Sequence, residues 1–149
     1  MVLRAVAELS ARFPHYASLI RAYDERYESS LSGPIHATVE ILERLKQAGY
    51  PLYALSNWSV EKFALIRPKY AFLDWFDAIV LSGALKLVKP DPRIFEVFLE
   101  QIGRKPEECL FIDDSRKNIE AANEMGFQTI RFESPEQLER ELRERGIGV

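Results

Sequence analysis

Two hydrophobic periods alternate along the chain. Four short runs rich in aliphatic and β-branched residues have the length of buried strands: "PLYALS" (51–56), "AIVLSG" (78–83), "CLFID" (109–113) and "QTIRF" (128–132). Between them the apolar residues fall at helical spacing. One stripe is Ile35, Val39, Leu42 and Leu45, a second is Ile94, Val97, Phe98 and Ile102, and a third is Ile119, Ala122 and Met125. Gly49, Gly103 and Gly126 stand where the C-terminal caps of these helices belong. Strands alternating with helices predict an α/β fold with a mostly parallel sheet covered on both faces.

The first 33 residues break this alternation. They predict two short helices separated by Pro14 and ended by the Gly33-Pro34 turn, with no strand before Pro51. At the other end Ser134 is placed as an N-cap with Pro135 at the first helical position. The dense mixed charge that follows reads as a solvated helix face. The division expected is a helical segment over 1–33 and an α/β core over 34–149.

Composition narrows the function classes. With 47% hydrophobic and 29% charged residues the chain has ample material for one core. A net charge of −3 and a pI near 5.5 exclude the basic footprint of a nucleic-acid binder. No run approaches the roughly 18 apolar residues that a membrane span requires. The N-terminal stretch, interrupted by Arg4 and Glu8, does not read as a signal peptide. Cys109 is the single cysteine, so no internal disulfide framework exists. The expectation is a soluble, cytoplasmic protein.

In a parallel α/β sheet, ligands bind at the carboxyl ends of the strands. Ser56 and Asn57 follow the first run, and Lys86 and Lys89 come after the second, with Pro90 keeping the chain extended before a helix near Pro92. Asp113, Asp114 and Ser115 end the third, with Asn118 one helical turn on. Singly, each has an ordinary reading: a turn, a surface lysine, a helix N-cap. Together they bring a hydroxyl, an amide, an ammonium and a carboxylate pair to one rim. That set suits a phosphoryl group with a divalent cation. Mg²⁺ on Asp114 and Asp113 would let both adjacent carboxylates stay ionised. His15 and His36 have no partner spacing for metal ligation. Cys109 reads as an inert strand residue, Trp75 as core, and Trp58 as packing more than as a pocket wall.

The stretches "YALSN", "KLVKPDPRIFE" and "LFIDDSRKNIEAANEMGF" resemble motifs two, three and four of the haloacid dehalogenase-like hydrolases. The likeness is to the subgroup of sugar-phosphate phosphatases, the epoxide hydrolase phosphatase domain and the 2-haloacid dehalogenases. It runs from about Ser32 to Phe132. It implies a Rossmann-like, three-layer sandwich with the tail of a helical cap at 1–33. It also implies Ser56, with Asn57 beside it, as phosphoryl-binding groups. Lys89 becomes the catalytic lysine that also contacts the phosphoryl group, Asp114 the Mg²⁺ ligand, and Asp113 its support.

One element of that pattern is absent. The family's first motif, Asp-x-Asp at the end of a central first strand, supplies the nucleophile and the acid–base group. The six aspartates here are Asp24, Asp74, Asp77, Asp91, Asp113 and Asp114, and none forms Asp-x-Asp. The resemblance therefore implies a Mg²⁺-dependent phosphatase of a small phosphorylated metabolite, truncated and inactive as this chain. Without the first strand, the runs at 51–56 and 109–113 must pair directly, leave a gap, or accept a strand from elsewhere. Dimerisation or strand exchange through the incomplete sheet follows as an expectation. Alternatives are a metal-independent dehalogenase and a non-catalytic phosphate- or metal-binding or interaction module. A phospho-signalling receiver is excluded by order, since Ser56 and Lys89 precede the acidic pair.

Overall fold

The computed structural model describes residues 2–148. Helices α1 (Val2–Arg12) and α2 (Ala17–Glu25) form an N-terminal hairpin bent at a 3-10 turn over Pro14–Tyr16, and a second 3-10 turn spans Tyr27–Ser30. There follow α3 (His36–Gln47), β1 (Tyr53–Ser56), α4 (Val60–Ile66), β2 (Ala78–Leu81), α5 (Ser82–Leu85) and α6 (Pro92–Ile102). The chain continues through β3 (Leu110–Asp113), α7 (Arg116–Glu124), β4 (Gln128–Arg131) and α8 (Pro135–Glu144). The α/β alternation is as the hydrophobic pattern predicts.

All pairing is parallel. β1 lies on β2 from Tyr53 opposite Ala78 to Ser56 opposite Leu81. β3 lies on β4 from Leu110 opposite Gln128 to Asp113 opposite Arg131. The two pairs are separate: among the described residues no ladder joins β1 to β3. Of the three arrangements open to these strands, the chain adopts the gap.

Helices cover the strands on both faces, giving the sandwich its layers. On one face Leu55, Val80 and Phe111 pack with Ile94, Phe95 and Phe98 of α6 and with Ile119 and Ala122 of α7. On the other, Leu52 and Ile130 pack with Ile41 and Leu45 of α3 and with Leu138 and Leu142 of α8. The stripes of α6 and α7 bury Ile94, Phe98, Ile119 and Ala122 as read from the sequence, whereas α3 is turned and α6 is buried over a wider face. In α3, Ile41 is buried whereas Ile35 is the exposed N-cap residue, and in α6 the fully buried Phe95 stands beside Ile94. The second strand is also shorter than its apolar run, because Ser82 and Gly83 open α5. Gly83 passes so close to the loop after β1 that an added Cβ would lie 2.8 Å from the Ser59 Cα.

The hairpin joins this core through charge. None of the described side chains of α1 and α2 is buried, and Phe13, Tyr16, Leu19 and Tyr23 are exposed. Lys62 of α4 reaches both the carboxylate and the carbonyl of Asp24 at 2.6 Å, with its ammonium 5.1 Å from the Tyr27 ring centre. Lys69 pairs with Glu28.

Asp77, before β2, fastens the entry to β1. Its carboxylate accepts from the Leu52 N–H at 2.8 Å and from Lys46 Nζ at 3.1 Å, and its own N–H donates to the Leu52 carbonyl at 2.7 Å. The Leu52 N–H, then Lys46, hold its carboxyl below the ordinary range. A depressed folded-state pKa stabilises above the unfolded value and loses that contribution as pH falls through the folded value. Stability should therefore decline below about pH 4. Asp91 and Glu136 are lowered too, by Arg93 and by helix-start N–H and hydroxyl donors, and share in that decline. Urea titrations from pH 7 into this range should show the loss, and Asp77→Asn should flatten it; an unchanged slope in the variant would remove Asp77 from the account.

Candidate active-site rim

The rim is built where β1 and β3 end and the loop between α5 and α6 crosses them. Ser56 is the last residue of β1; it is half-buried, and its hydroxyl has no hydrogen-bond partner among the described residues. Asn57 follows and turns its side chain to the crossing loop. Its Oδ1 accepts from the Lys89 N–H at 2.8 Å and its Nδ2 donates to the Lys89 carbonyl at 3.0 Å. A side-chain amide thus grips the backbone of one residue on both sides. The Lys89–Pro90 peptide is cis, and Asp91 then caps α6 by accepting from the Arg93 N–H.

So held, Lys89 sends its side chain inward, where it is only 10% exposed. Its ammonium donates to Asp113 Oδ2 at 2.6 Å and lies 5.5 Å from the centre of the Phe111 ring. Phe111 and Asp113 are two apart on β3, so they share a face of the strand. Two of the three ammonium donors have no acceptor among the described residues. Lys86, the other lysine of the loop, is exposed in a left-handed conformation that ends α5.

Asp113 is fully engaged. Its Oδ1 accepts from the Ser115 N–H and from Asn118 Nδ2, both at 2.9 Å, and its side chain is 8% exposed. Asn118, 8% exposed and one turn into α7, is spent on orienting this carboxylate. Asp114 is exposed and makes no side-chain hydrogen bond or ion pair among the described residues. Lys89 and two N–H donors engage Asp113, while Asp114 faces outward. No cluster of three or more His, Cys, Asp or Glu side chains suited to a metal occurs among the described residues. The donor set still fits Mg²⁺, which is commonly held by one or two carboxylates plus waters and substrate phosphate. Asp114 is the carboxylate free to serve.

The structure therefore brings Ser56, Asn57, Lys89 and Asp113 to one rim, with Asp114 adjoining. Sequence reading missed the grip of Asn57 on Lys89, the ring under the ammonium and the role of Asn118. Of these only Phe111 carried a signal, its i, i+2 relation to Asp113. The shallow cavity of about 450 Å³ bounded by Lys46, Gly49, Tyr50, Pro51, Tyr53 and Asp77 lies at the opposite end of β1. Among the described residues no helix is long and apolar enough to cross a membrane.

The chain belongs to the haloacid dehalogenase-like hydrolases, whose family model matches residues 4–126. It is 33% identical to (S)-2-haloacid dehalogenase 4A of Burkholderia cepacia, over 62% of this chain and 40% of that protein. It is 28% identical to a phosphorylated carbohydrates phosphatase of Thermotoga maritima, over 87% of this chain and 60% of that one. In structure it resembles a family enzyme from Bacteroides thetaiotaomicron crystallised with magnesium and inorganic phosphate, with a TM-score of 0.68 and 29% identity, covering 80% of this chain and 64% of that chain. The chain spans less than two thirds of each of these proteins.

Proposed function

We propose that the chain carries the phosphate- and metal-binding part of a Mg²⁺-dependent phosphatase for a small phosphorylated metabolite. The observation that carries this is Lys89: a nearly buried ammonium, anchored by Asp113, with two donors unfilled at the strands' carboxyl rim. Those donors and the Ser56 hydroxyl would receive phosphoryl oxygens, and Asp113 would hold the ammonium in place as charge develops. Asn57 is better placed to position Lys89 than to touch phosphate, since its amide is committed to the Lys89 backbone. Asp114 would hold Mg²⁺, which when bound neutralises phosphoryl charge. In this reading residues 1–33 are part of a helical cap over a core of 34–149. The chain works in the cytoplasm, and by itself it turns nothing over, because no Asp-x-Asp is present among its 149 residues.

The test is binding before turnover. Inorganic phosphate should bind the chain more tightly with Mg²⁺ than without, as measured by calorimetry. Asp114→Asn should abolish the Mg²⁺ effect while leaving stability within about 0.5 kcal/mol, as expected for an exposed side chain. Aryl phosphate hydrolysis by the chain alone should stay at background. Mg²⁺-indifferent phosphate binding, unaffected by Asp114→Asn, would sink the metal assignment. The similarity to a 2-haloacid dehalogenase supports one second reading, metal-independent release of halide from a 2-haloacid. That reading predicts 2-haloacid binding that is blind to Mg²⁺.

A further inference from the structure

We infer that the substrate's leaving alcohol is apolar: the phosphoryl-binding rim continues into a hydrocarbon flank that fits an alkyl or aryl phosphate and not a sugar phosphate. This deepens the phosphatase reading above and rests on it. The first argument is what the polar side chains around the Asn57–Lys89 crossing already hold. Asn57 is spent on the Lys89 backbone, and Ser59 Oγ accepts from the Lys62 N–H at 3.2 Å. Ser82 Oγ donates to the Trp58 carbonyl at 3.4 Å, Asp91 is spent on Arg93, and Asn118 on Asp113. Ser56, the two unfilled donors of Lys89 and Asp114 serve phosphate and metal in that reading. None of these groups remains to hydrogen-bond the hydroxyls of a polyol, and a site built to select hydroxyls needs such partners.

The second argument is what stands in solvent there. In the loop that carries Lys89, Leu87 packs on the core cluster, whereas Val88, next to the lysine, is 56% exposed. Val60, in the first turn of α4 and three residues after Asn57, is 42% exposed. Trp58, two residues before Val60, is half-buried with its ring edge-to-face on Phe63 at 5.5 Å. Its indole N–H is buried and has no partner among the described residues, so the ring offers a substrate no donor. Apolar surface continues from α4 towards the hairpin. The Lys62 ammonium lies 5.1 Å from the Tyr27 ring centre, and the exposed Tyr23 packs edge-on against Tyr27 at 6.0 Å. A hydrocarbon group leaving the phosphoryl position would cover Val88 and Val60 first, and removing that area from water supplies affinity that no hydroxylated group can match.

Calorimetry on the full chain with Mg²⁺ tests this with methylphosphonate, hexylphosphonate and glucose 6-phosphate. The two phosphonates share one head and differ only in their hydrocarbon. Hexylphosphonate should bind at least about tenfold more tightly than methylphosphonate, which two methylenes taken out of water suffice to give. Glucose 6-phosphate should bind no more tightly than methylphosphonate. In Val60→Thr/Val88→Thr, a change of little volume at two exposed positions, the preference for the hexyl chain should fall to about threefold or less. In Leu65→Thr, exposed at the far end of α4, that preference should persist. Equal binding of the two phosphonates, or tighter binding of glucose 6-phosphate than of hexylphosphonate, overturns the apolar leaving group; Mg²⁺-dependent binding of the head would still uphold the phosphatase reading. A hexyl preference that survives both valine changes, or falls equally in the leucine variant, overturns the flank. Failure of methylphosphonate and inorganic phosphate to bind with Mg²⁺ is the separate failure of the phosphatase reading, and removes this inference with it.

Discussion

Replacing Lys89 with methionine should cost the fold about 3–5 kcal/mol, the usual penalty for leaving one member of a buried ion pair uncompensated. The Asp113 carboxylate, 8% exposed, would lose its 2.6 Å ammonium partner and keep only the Ser115 N–H and Asn118 amide. Those two donors share Oδ1, so Oδ2 would be left bare. Removing both charges at once in Lys89→Met/Asp113→Asn should recover most of the loss, because no isolated charge then remains in the interior. Urea denaturation of the two variants beside the parent chain measures this directly. Near-equal costs for the single and double variants would mean that water reaches the pair and that the rim is not preorganised. The single variant should also lose phosphate binding, and the double variant should not restore it.

Phe95→Ala should be of similar size, about 3–5 kcal/mol, but for a different reason. Phe95 is fully buried and packs edge-to-face against Phe111 at 5.4 Å and Phe127 at 5.9 Å, with the latter two 6.0 Å apart. This trio ties α6 to β3 and to the residue leading into β4. Truncation forfeits apolar transfer, aromatic contacts and packing around a cavity. A midpoint drop of about 10 °C or more follows for a domain this size. Phe95→Leu should lose less than half as much. Because Phe111 lies beneath the Lys89 ammonium, the alanine variant should also weaken phosphate binding, whereas a cavity at Leu142 in the other cluster should not. Equal effects of the two cavities on binding would show that the rim responds to global stability alone.

The strands were legible because each is short, aliphatic and bounded by polar or turn residues. Their ends were less so. Apolar runs continue into Ser82 and Gly83, where close contact with the Ser59 backbone decides for a helix. Helix existence was likewise clear from spacing and glycine caps, with Gly103 ending α6 in the left-handed conformation. Which residues face inward was not. Ile94 and Phe95 are adjacent and both fully buried because α6 meets β1–β2 and β3–β4 together, a width that a single stripe does not convey. At the rim, hydrogen bonds join Lys89 to Asp113 and to Asn57, with Asp114 and Ser56 next to these in the chain. That Asp113 is engaged by Lys89, the Ser115 N–H and Asn118, while Asp114 faces outward, came from the structure.

By itself the sequence determined an α/β chain with polar residues gathered at strand ends, since hydrophobic period and motif order are local properties. It also determined that no Asp-x-Asp is present. Only the tertiary structure decided that β1 and β3 stand apart, because ladders form between residues distant in sequence and depend on what lies between them. It alone decided that Asn57 grips the Lys89 backbone and that Asp113, not Asp114, is neutralised. Hydrogen bonds act over about 3 Å, and such distances across 24 to 32 residues of chain are set by packing of the layers.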